Sequence, residues 1–171
     1  MAPRRAESAG LGYNSPMSAR IEVAVIVRRP RRQVFAHLAR LESHTEWMGD
    51  AASIAFLSSQ RRGVGVEMLV ETRIGPLKSS DRMEITGWRE GEMIGITHRG
   101  EVKGEGVMEL SDYGAGWTLL RWTERLSLPA RFGGPIGEAI AAPVLKLVFK
   151  ADLARFAKLV ESEADLASEQ G

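Results

Sequence analysis

His98 and Glu124 are the residues whose types and positions best suit chemistry, because each continues an alternating run of apolar residues. His98 follows the isoleucines of GEMIGITHRG at a two-residue spacing, and Glu124 stands in the same way among the leucines and the tryptophan of WTLLRWTERLSL. Thr72 holds the equivalent place in VGVEMLVETRI. Alternate side chains of a strand share one face, so all three polar groups are predicted to point inward. A carboxylate and an imidazole that reach one substrate can move its protons.

These polar residues have two interpretations that remain open at this point. Buried polar groups need partners, so the side chains either satisfy one another or face a ligand or pocket water. Asp152 belongs to the same set, because it lies beside the apolar stripe of a predicted C-terminal helix. In a binding protein these groups would orient an otherwise apolar ligand, and in an enzyme His98 and Glu124 would be the catalytic residues.

Other catalytic and cofactor motifs are missing from the sequence or stand in the wrong context. The paired glycines of GVGVEM and GEGVME lead into strands, whereas a phosphate cradle leads into a helix. His37, His44 and His98 include no pair at zinc-ligand spacing, and the sequence has no cysteine. No serine stands in a Gly-x-Ser-x-Gly turn. We therefore expect neither a metal nor a cofactor.

The overall charge excludes the class of proteins that attract nucleic acid through a large net positive charge. The 171 residues carry 23 basic and 22 acidic side chains, for a formal net charge of +1. The arginines of VRRPRRQ are interpreted as the solvated start of a helix. The lack of cysteine and of a bilayer-spanning apolar run is typical of a cytoplasmic protein without stable membrane insertion.

The elements that must position these residues follow from the periodicity of the sequence. Residues 1–17 are predicted to form a disordered tail, and residues 18–165 one domain, followed by a short tail at 166–171. A strand ends at Pro30, a helix reads RPRRQVFAHLARL, and one further turn makes Trp47 an apolar plug beneath that helix. Six strand signals with short connections then predict an antiparallel meander, with the first strand at one edge.

The C-terminal part returns to helical spacing. Pro143 is predicted to begin a long helix whose apolar stripe runs from Leu145 to Val160. At about 20 residues, this helix is long enough to cross the sheet. The preceding segment, SLPARFGGPIGEAIAAP, is predicted to be a loop with a short helical turn, acting as a mobile flap with Phe132 at its tip.

A cavity between the sheet and the long helix is predicted, because the chain has too few aromatic residues to fill such an interior. Four methionines, Met68, Met83, Met93 and Met108, would give the cavity an adaptable wall. The predicted ligand contacts combine this wall with the polar groups and nearby aromatic residues: Thr72, His98, Trp122, Glu124, Met68, Met83, Met108, Phe132, Phe149 and Asp152.

The order of these elements resembles the START-like, or SRPBCC, superfamily, in particular its polyketide cyclase/dehydrase and lipid-transport group. The similarity covers residues 18 to 165 and rests on RRPRRQVFAHLARLESHTEW, the turn RRGVGVEM, the meander and the final helix ending RFAKLVES. The resemblance implies an α+β helix-grip fold. This is a curved antiparallel sheet of about seven strands around a long C-terminal helix, with two short helices after strand 1. Trp47 matches a tryptophan that these proteins carry before the second strand.

The resemblance also implies a hydrophobic cavity for a lipid, polyketide or aromatic metabolite, and three functions are consistent with it. We favour a carrier or sensor without enzymatic activity. The alternative is a polyketide cyclase/dehydrase-like enzyme that uses His98 and Glu124 for proton transfer. The third is a protein-interaction module related to ribosome- or chaperone-associated members, which would have a filled core and an exposed apolar patch. The expected partner is a small hydrophobic ligand and no nucleic acid, and the protein would be a monomer or a homodimer.

Overall fold

A computed structural model of the chain describes residues 19–75, 77–129, 131 and 134–169. The predicted tail of residues 1–17 and the predicted flap tip Phe132 lie outside these residues. No helix in the described part of the chain combines the length and apolar character needed to cross a membrane.

Seven antiparallel strands form one sheet, as predicted. Their order is β1-β7-β6-β5-β4-β3-β2, so the six later strands make a meander and the first strand pairs with the last. The strand bounds are β1 Ala19–Val27, β2 Ala51–Phe56, β3 Glu67–Ile74, β4 Leu77–Arg89, β5 Met93–Arg99, β6 Lys103–Tyr113 and β7 Trp117–Ser127. Alternation is clear throughout β7, where every second residue is buried, and in β6 from Gly104 to Leu110.

Two short helices connect β1 to β2. Helix α1 spans Arg31–Leu38, and the Pro30 carbonyl accepts the first helical hydrogen bond, from the Val34 N–H at 3.2 Å. A 3₁₀ helix follows at Leu41–Glu46. Trp47 directly after it is buried, as predicted for an apolar plug, and its ring centroid lies 5.0 Å from that of Phe156. This contact joins the end of the 3₁₀ helix to the long C-terminal helix.

The long helix α2 spans Gly134–Glu169, so the prediction that it begins at Pro143 is wrong. Pro143 lies inside the helix instead. The segment before it, read as a loop with a short turn, is helical from Gly134. A proline in the first turn of a helix leaves every hydrogen bond intact, and Pro135 has that position here. Pro135 and Pro143 both fit the first turn of a helix, and the structure shows that α2 begins next to the earlier one, Pro135.

The start of β3 differs from the prediction. Alternation through VGVEMLVETRI predicts that Val64, its first residue, points inward with Thr72, but Val64 is 55% exposed. The strand begins only at Glu67, and Gly65 before it has a φ of 91°. A left-handed residue breaks the two-residue alternation, so parity cannot be extended across it.

Candidate functional site

A cavity of about 810 Å³ lies between the inner face of the sheet and α2. This volume is within the range of small-molecule binding sites. Most of the lining side chains are Val, Ile, Leu and Met, contributed by β3 to β7 and by the first half of α2. The cavity wall is therefore mainly apolar. The polar side chains that face the cavity determine which polar groups of a ligand can bind there.

Most of the residues predicted to contact a ligand line this cavity: Thr72, His98, Trp122, Glu124, Met68, Met83, Met108 and Phe149. Of the other two predicted contacts, Asp152 does not line the cavity, and Phe132 lies outside the described residues. Met93, predicted as part of the methionine wall, packs against Gly87 on the other face of the sheet, where its sulfur would be 3.3 Å from a Cβ at that glycine. Met93 has the opposite parity to Ile94 and Ile96, so their inward orientation already places Met93 outside.

The structure brings His98 and Glu124 together. His98 Nε2 lies 3.3 Å from Glu124 Oε2, and their side chains are only 11% and 5% exposed. The other carboxylate oxygen, Oε1, accepts a hydrogen bond from the Trp122 indole Nε1 at 2.8 Å. The contact to His98 is a close ion pair without hydrogen-bond alignment, so Oε2 and both imidazole nitrogens have no hydrogen-bond partner among the described residues.

Gly106 makes this pair possible. His98 is on β5 and Glu124 on β7, and β6 lies between these strands. The β6 residue opposite Glu124 is Gly106, which also lines the cavity. A Cβ at Gly106 would lie 2.6 Å from Glu124 Cδ, closer than side-chain packing permits. The glycine thus leaves space over β6 for the carboxylate to reach the imidazole.

The pair keeps a positive charge on His98 favourable. Burial lowers the pKa of His98, but the Glu124 carboxylate, helped by Asp81, outweighs burial and raises that pKa above its ordinary value of 6.5. A protonated His98 can donate from both ring nitrogens, whereas Glu124 Oε2 can only accept. The polar end of the cavity therefore offers a donor and an acceptor side by side.

An aromatic wall adjoins this polar end. The rings of Trp122 and Phe149 stack with centroids 4.2 Å apart and an interplanar angle of 23°. Trp122 comes from β7 and Phe149 from α2, so the stack joins the sheet to the helix. Both rings line the cavity, where a flat apolar group can pack against them.

The cavity lining includes six polar residues that the sequence did not predict as ligand contacts: His44, Asp50, Lys78, Ser79, Asp81 and Arg131. His44, on the 3₁₀ helix, donates from Nε2 to the Leu38 carbonyl at 2.8 Å, and burial lowers its pKa to about 4, so it is neutral. Asp81 is buried and accepts a hydrogen bond from the Val102 N–H at 3.0 Å. For Asp81 the signal was available, because it shares parity with Met83 on β4.

Asp152 has a different environment from the one predicted. Its Oδ1 accepts a hydrogen bond from the Gly49 N–H at 2.9 Å and another from the Arg155 guanidinium. Arg155 Nε also donates to the Trp47 carbonyl at 2.9 Å. Asp152 therefore anchors to α2 the turn that leads into β2. It does not line the cavity itself, whereas its neighbour Asp50 does.

No metal-binding group is present in the described part of the chain: no three histidine or acidic side chains there gather closely enough to hold a metal ion. The polar groups of the cavity can instead bind oxygen-bearing ligands or transfer protons.

Comparison with solved structures places the fold among known proteins. A protein from Thermus thermophilus matches with a TM-score of 0.71 and 13% sequence identity, over 85% of this chain and 99% of that one. A START superfamily protein from Mycobacterium smegmatis matches with a TM-score of 0.66 and 16% identity, over 82% and 98%. The Zhui aromatase/cyclase from Streptomyces sp. R1128 matches with a TM-score of 0.65 and 13% identity, over 86% and 94%. At these identities the matches show the fold alone.

Comparison of sequences adds the family. No curated protein sequence matches the chain. The sequence profile of the family described as "Polyketide cyclase / dehydrase and lipid transport" matches residues 18–161, nearly the whole predicted domain. This START-like family binds hydrophobic ligands in a helix-grip fold, as the resemblance implied. The chain belongs to the polyketide cyclase/dehydrase and lipid-transport family.

Proposed function

We propose that the protein is a carrier or sensor that binds a small, flat, mainly apolar metabolite bearing at least one hydroxyl or carbonyl group. The observation that carries this proposal is the buried His98–Glu124 pair facing an apolar cavity of about 810 Å³. The cavity supplies apolar contact area, and the pair supplies orientation.

The unpartnered atoms of the pair favour a ligand with an oxygen atom. A buried polar atom without a partner costs about 1–3 kcal/mol, and a ligand that supplies the partner recovers part of this free energy. A hydroxyl group suits the site, because it can accept from a His98 N–H while it donates to Glu124 Oε2. The neighbouring Trp122–Phe149 stack favours a ring next to that hydroxyl.

An enzyme of the polyketide cyclase/dehydrase type is the second candidate, and the same pair supports it. In such an enzyme His98 would transfer a proton to or from the substrate, while Glu124 would orient the imidazole and stabilise its charged form. Protein interaction as the main role has less support, because an interaction module of this family would have a filled core, whereas this protein has a large cavity.

Binding of two matched probes tests the proposal. Pyrene is flat and apolar, and hydroxypyrene adds one hydroxyl group, so the ratio of their affinities measures the polar contact. We expect both to bind the wild type, with hydroxypyrene tighter. His98→Ala should weaken hydroxypyrene while it leaves pyrene nearly unchanged. Failure of both probes to bind, measured by fluorescence, would contradict a flat-ligand site.

Ligand extraction identifies the natural compound and separates the two candidates. Protein purified from its native host would be denatured and its extract analysed by mass spectrometry. Incubation of the compound found with wild type and His98→Ala then reports turnover. A carrier leaves the compound unchanged with both proteins. An enzyme converts it, and His98→Ala lowers the rate by about 10²–10⁴ with binding largely retained.

A further inference from the structure

Asp50 and Asp152 form a second buried polar cluster that joins α2 to the wall of the cavity. Asp152 is 0% exposed on α2, and Asp50 lines the cavity directly before β2. The Gly49 N–H donates to Asp152 at 2.9 Å, and Arg155 donates both to Asp152 and to the Trp47 carbonyl. All of these contacts hold the turn between Trp47 and Asp50 on the middle of α2.

The two carboxyl groups are neighbours in this cluster, and their closeness favours a shared proton. Asp152 accepts a hydrogen bond from the N–H of Gly49, the residue directly before Asp50, and burial together with the negative charge of Asp152 raises the pKa of Asp50. Two ionised carboxylates have no donor between them. Asp50 Oδ1 and Asp152 Oδ2 are the oxygens of the pair that are buried without a partner among the described residues. One shared proton supplies the missing donor, as in other pairs of adjacent carboxyl groups.

We propose that Asp50 and Asp152 are a proton-operated latch, which fastens α2 to the turn before β2 while the pair shares one proton and loosens when that proton is lost. The inference rests on the proposed function, because it concerns the retention of a ligand in the same cavity. The latch regulates release and does not contact the reacting part of a ligand.

The position of the latch explains why its loosening opens the cavity. The half of α2 that precedes Asp152 supplies cavity-lining residues, among them Ile136, Ile140 and Leu145. On the other side, Asp50 begins the wall formed by β2, of which Ala51 and Ile54 line the cavity. Repulsion at the latch therefore acts on two walls that enclose the ligand.

The charges around the pair determine the direction of the pH effect. Asp152 and Arg155 on α2 and Glu124 on β7 are the charged groups that face Asp50 or its partner. Burial and the negative charges of Asp152 and Glu124 raise the pKa of Asp50 to about 6. Arg155 offsets one negative charge, so the pair with one proton is balanced and the fully ionised pair is not. Release should accelerate as the pH rises through about 6.

The dissociation rate of pyrene measures the latch, because this probe has no group that could hydrogen-bond to His98 or Glu124. Rates would be measured by stopped-flow dilution at about pH 5 and about pH 7.5. We expect release from the wild type to be faster at the higher pH, by at most about tenfold per pH unit. Asp50→Asn should release pyrene slowly at both pH values. Asp112→Asn, a matched change at an exposed residue, should behave like the wild type.

Hydrogen exchange of the Gly49 amide tests the latch without any ligand. The Gly49 amide, whose N–H donates to Asp152, should exchange its hydrogen more slowly in Asp50→Asn than in the wild type at about pH 7.5. Pyrene that binds, but leaves the wild type and Asp50→Asn equally fast at both pH values, would overturn the latch and leave the proposed function standing. A pH dependence that persists in Asp50→Asn and disappears in His98→Gln would assign the titration to His98 and also overturn it. If pyrene binds no variant, the proposed function fails, and equal protection of Gly49 would then reject the latch as well.

Discussion

Replacement of Glu124 by Gln tests the central pair without any ligand. The amide keeps the shape of the side chain and can still accept the Trp122 hydrogen bond, but it removes the charge that faces His98. In the wild type this charge raises the pKa of His98 above 6.5 in spite of burial. In Glu124→Gln burial acts almost alone, so the pKa of His98 should fall below 6.5.

The change in stability should depend on pH. The raised pKa of His98 in the folded wild type means that the protonated histidine stabilises the fold below pH 6.5, and that this contribution disappears as the pH rises through the folded pKa. At about pH 5.5, Glu124→Gln leaves a buried imidazolium without its partner, at a cost of about 3–5 kcal/mol if the charge persists. His98 can lose its proton instead, which limits the cost. At a pH above the folded pKa of His98, where the imidazole is neutral, only an altered hydrogen bond remains, worth about 1 kcal/mol.

Urea unfolding at the two pH values and an NMR titration of the histidines would measure both effects. The three histidines separate well, because the pKa values of His37 and His44 are lowered and that of His98 is raised. Glu109→Gln, the same substitution at an exposed position of β6, is the control and should change neither quantity. An equal loss of stability at both pH values, with an unchanged titration of His98, would refute the proposed charge pair.

Three further substitutions test other parts of the site. Gly106→Ala should displace the Glu124 carboxylate, so that the NMR-monitored pKa of His98 falls while the protein stays folded; an unchanged titration would show that β6 has room for a methyl group. Asp50→Asn should stabilise the protein at neutral pH by at most about 3 kcal/mol and have no effect near pH 4, because the raised pKa of Asp50 penalises the fold only as the pH rises from 3.8 to about 6; urea unfolding at both pH values measures this. Phe149→Ala should cost about 3 kcal/mol in the same assay, the low end for a buried ring, because one face of Phe149 borders the cavity; a loss above about 5 kcal/mol would mean that the ring packs in solid core.

The inward polar residues could be predicted because strand parity is a local property. His98, Glu124 and Thr72 were placed correctly from alternation alone, without knowledge of which strands pair. Parity failed at Val64, where Gly65 interrupts the strand, and it was not applied to Met93, whose neighbours already indicated the outer face. Alternation predicts the face of a side chain only within an unbroken strand.

Contacts between distant segments could not be predicted in the same way. His44 and Asp50 belong to the connection between α1 and β2, which has no period, and their cavity positions depend on how α2 packs against that connection. The start of α2 was misplaced because Pro143 satisfies the rule for a first turn equally well. The glycine pair of GEGVME leads into a strand, which excludes a phosphate cradle, but a glycine inside a strand, such as Gly106, also indicates close approach of another group.

The two halves of α2 explain how one helix can both stabilise the fold and leave room for a ligand. The C-terminal half buries Leu153, Phe156 and Val160 against the rest of the core. The N-terminal half instead exposes large aliphatic side chains by 50% to 76%: Ile136, Ile140, Val144 and Leu147. Three of these four also line the cavity, so they border apolar space that the protein alone leaves unfilled. Burial of such side chains contributes about 25 cal/mol per Å², so an apolar ligand in the cavity gains affinity from the part of α2 that does not stabilise the core.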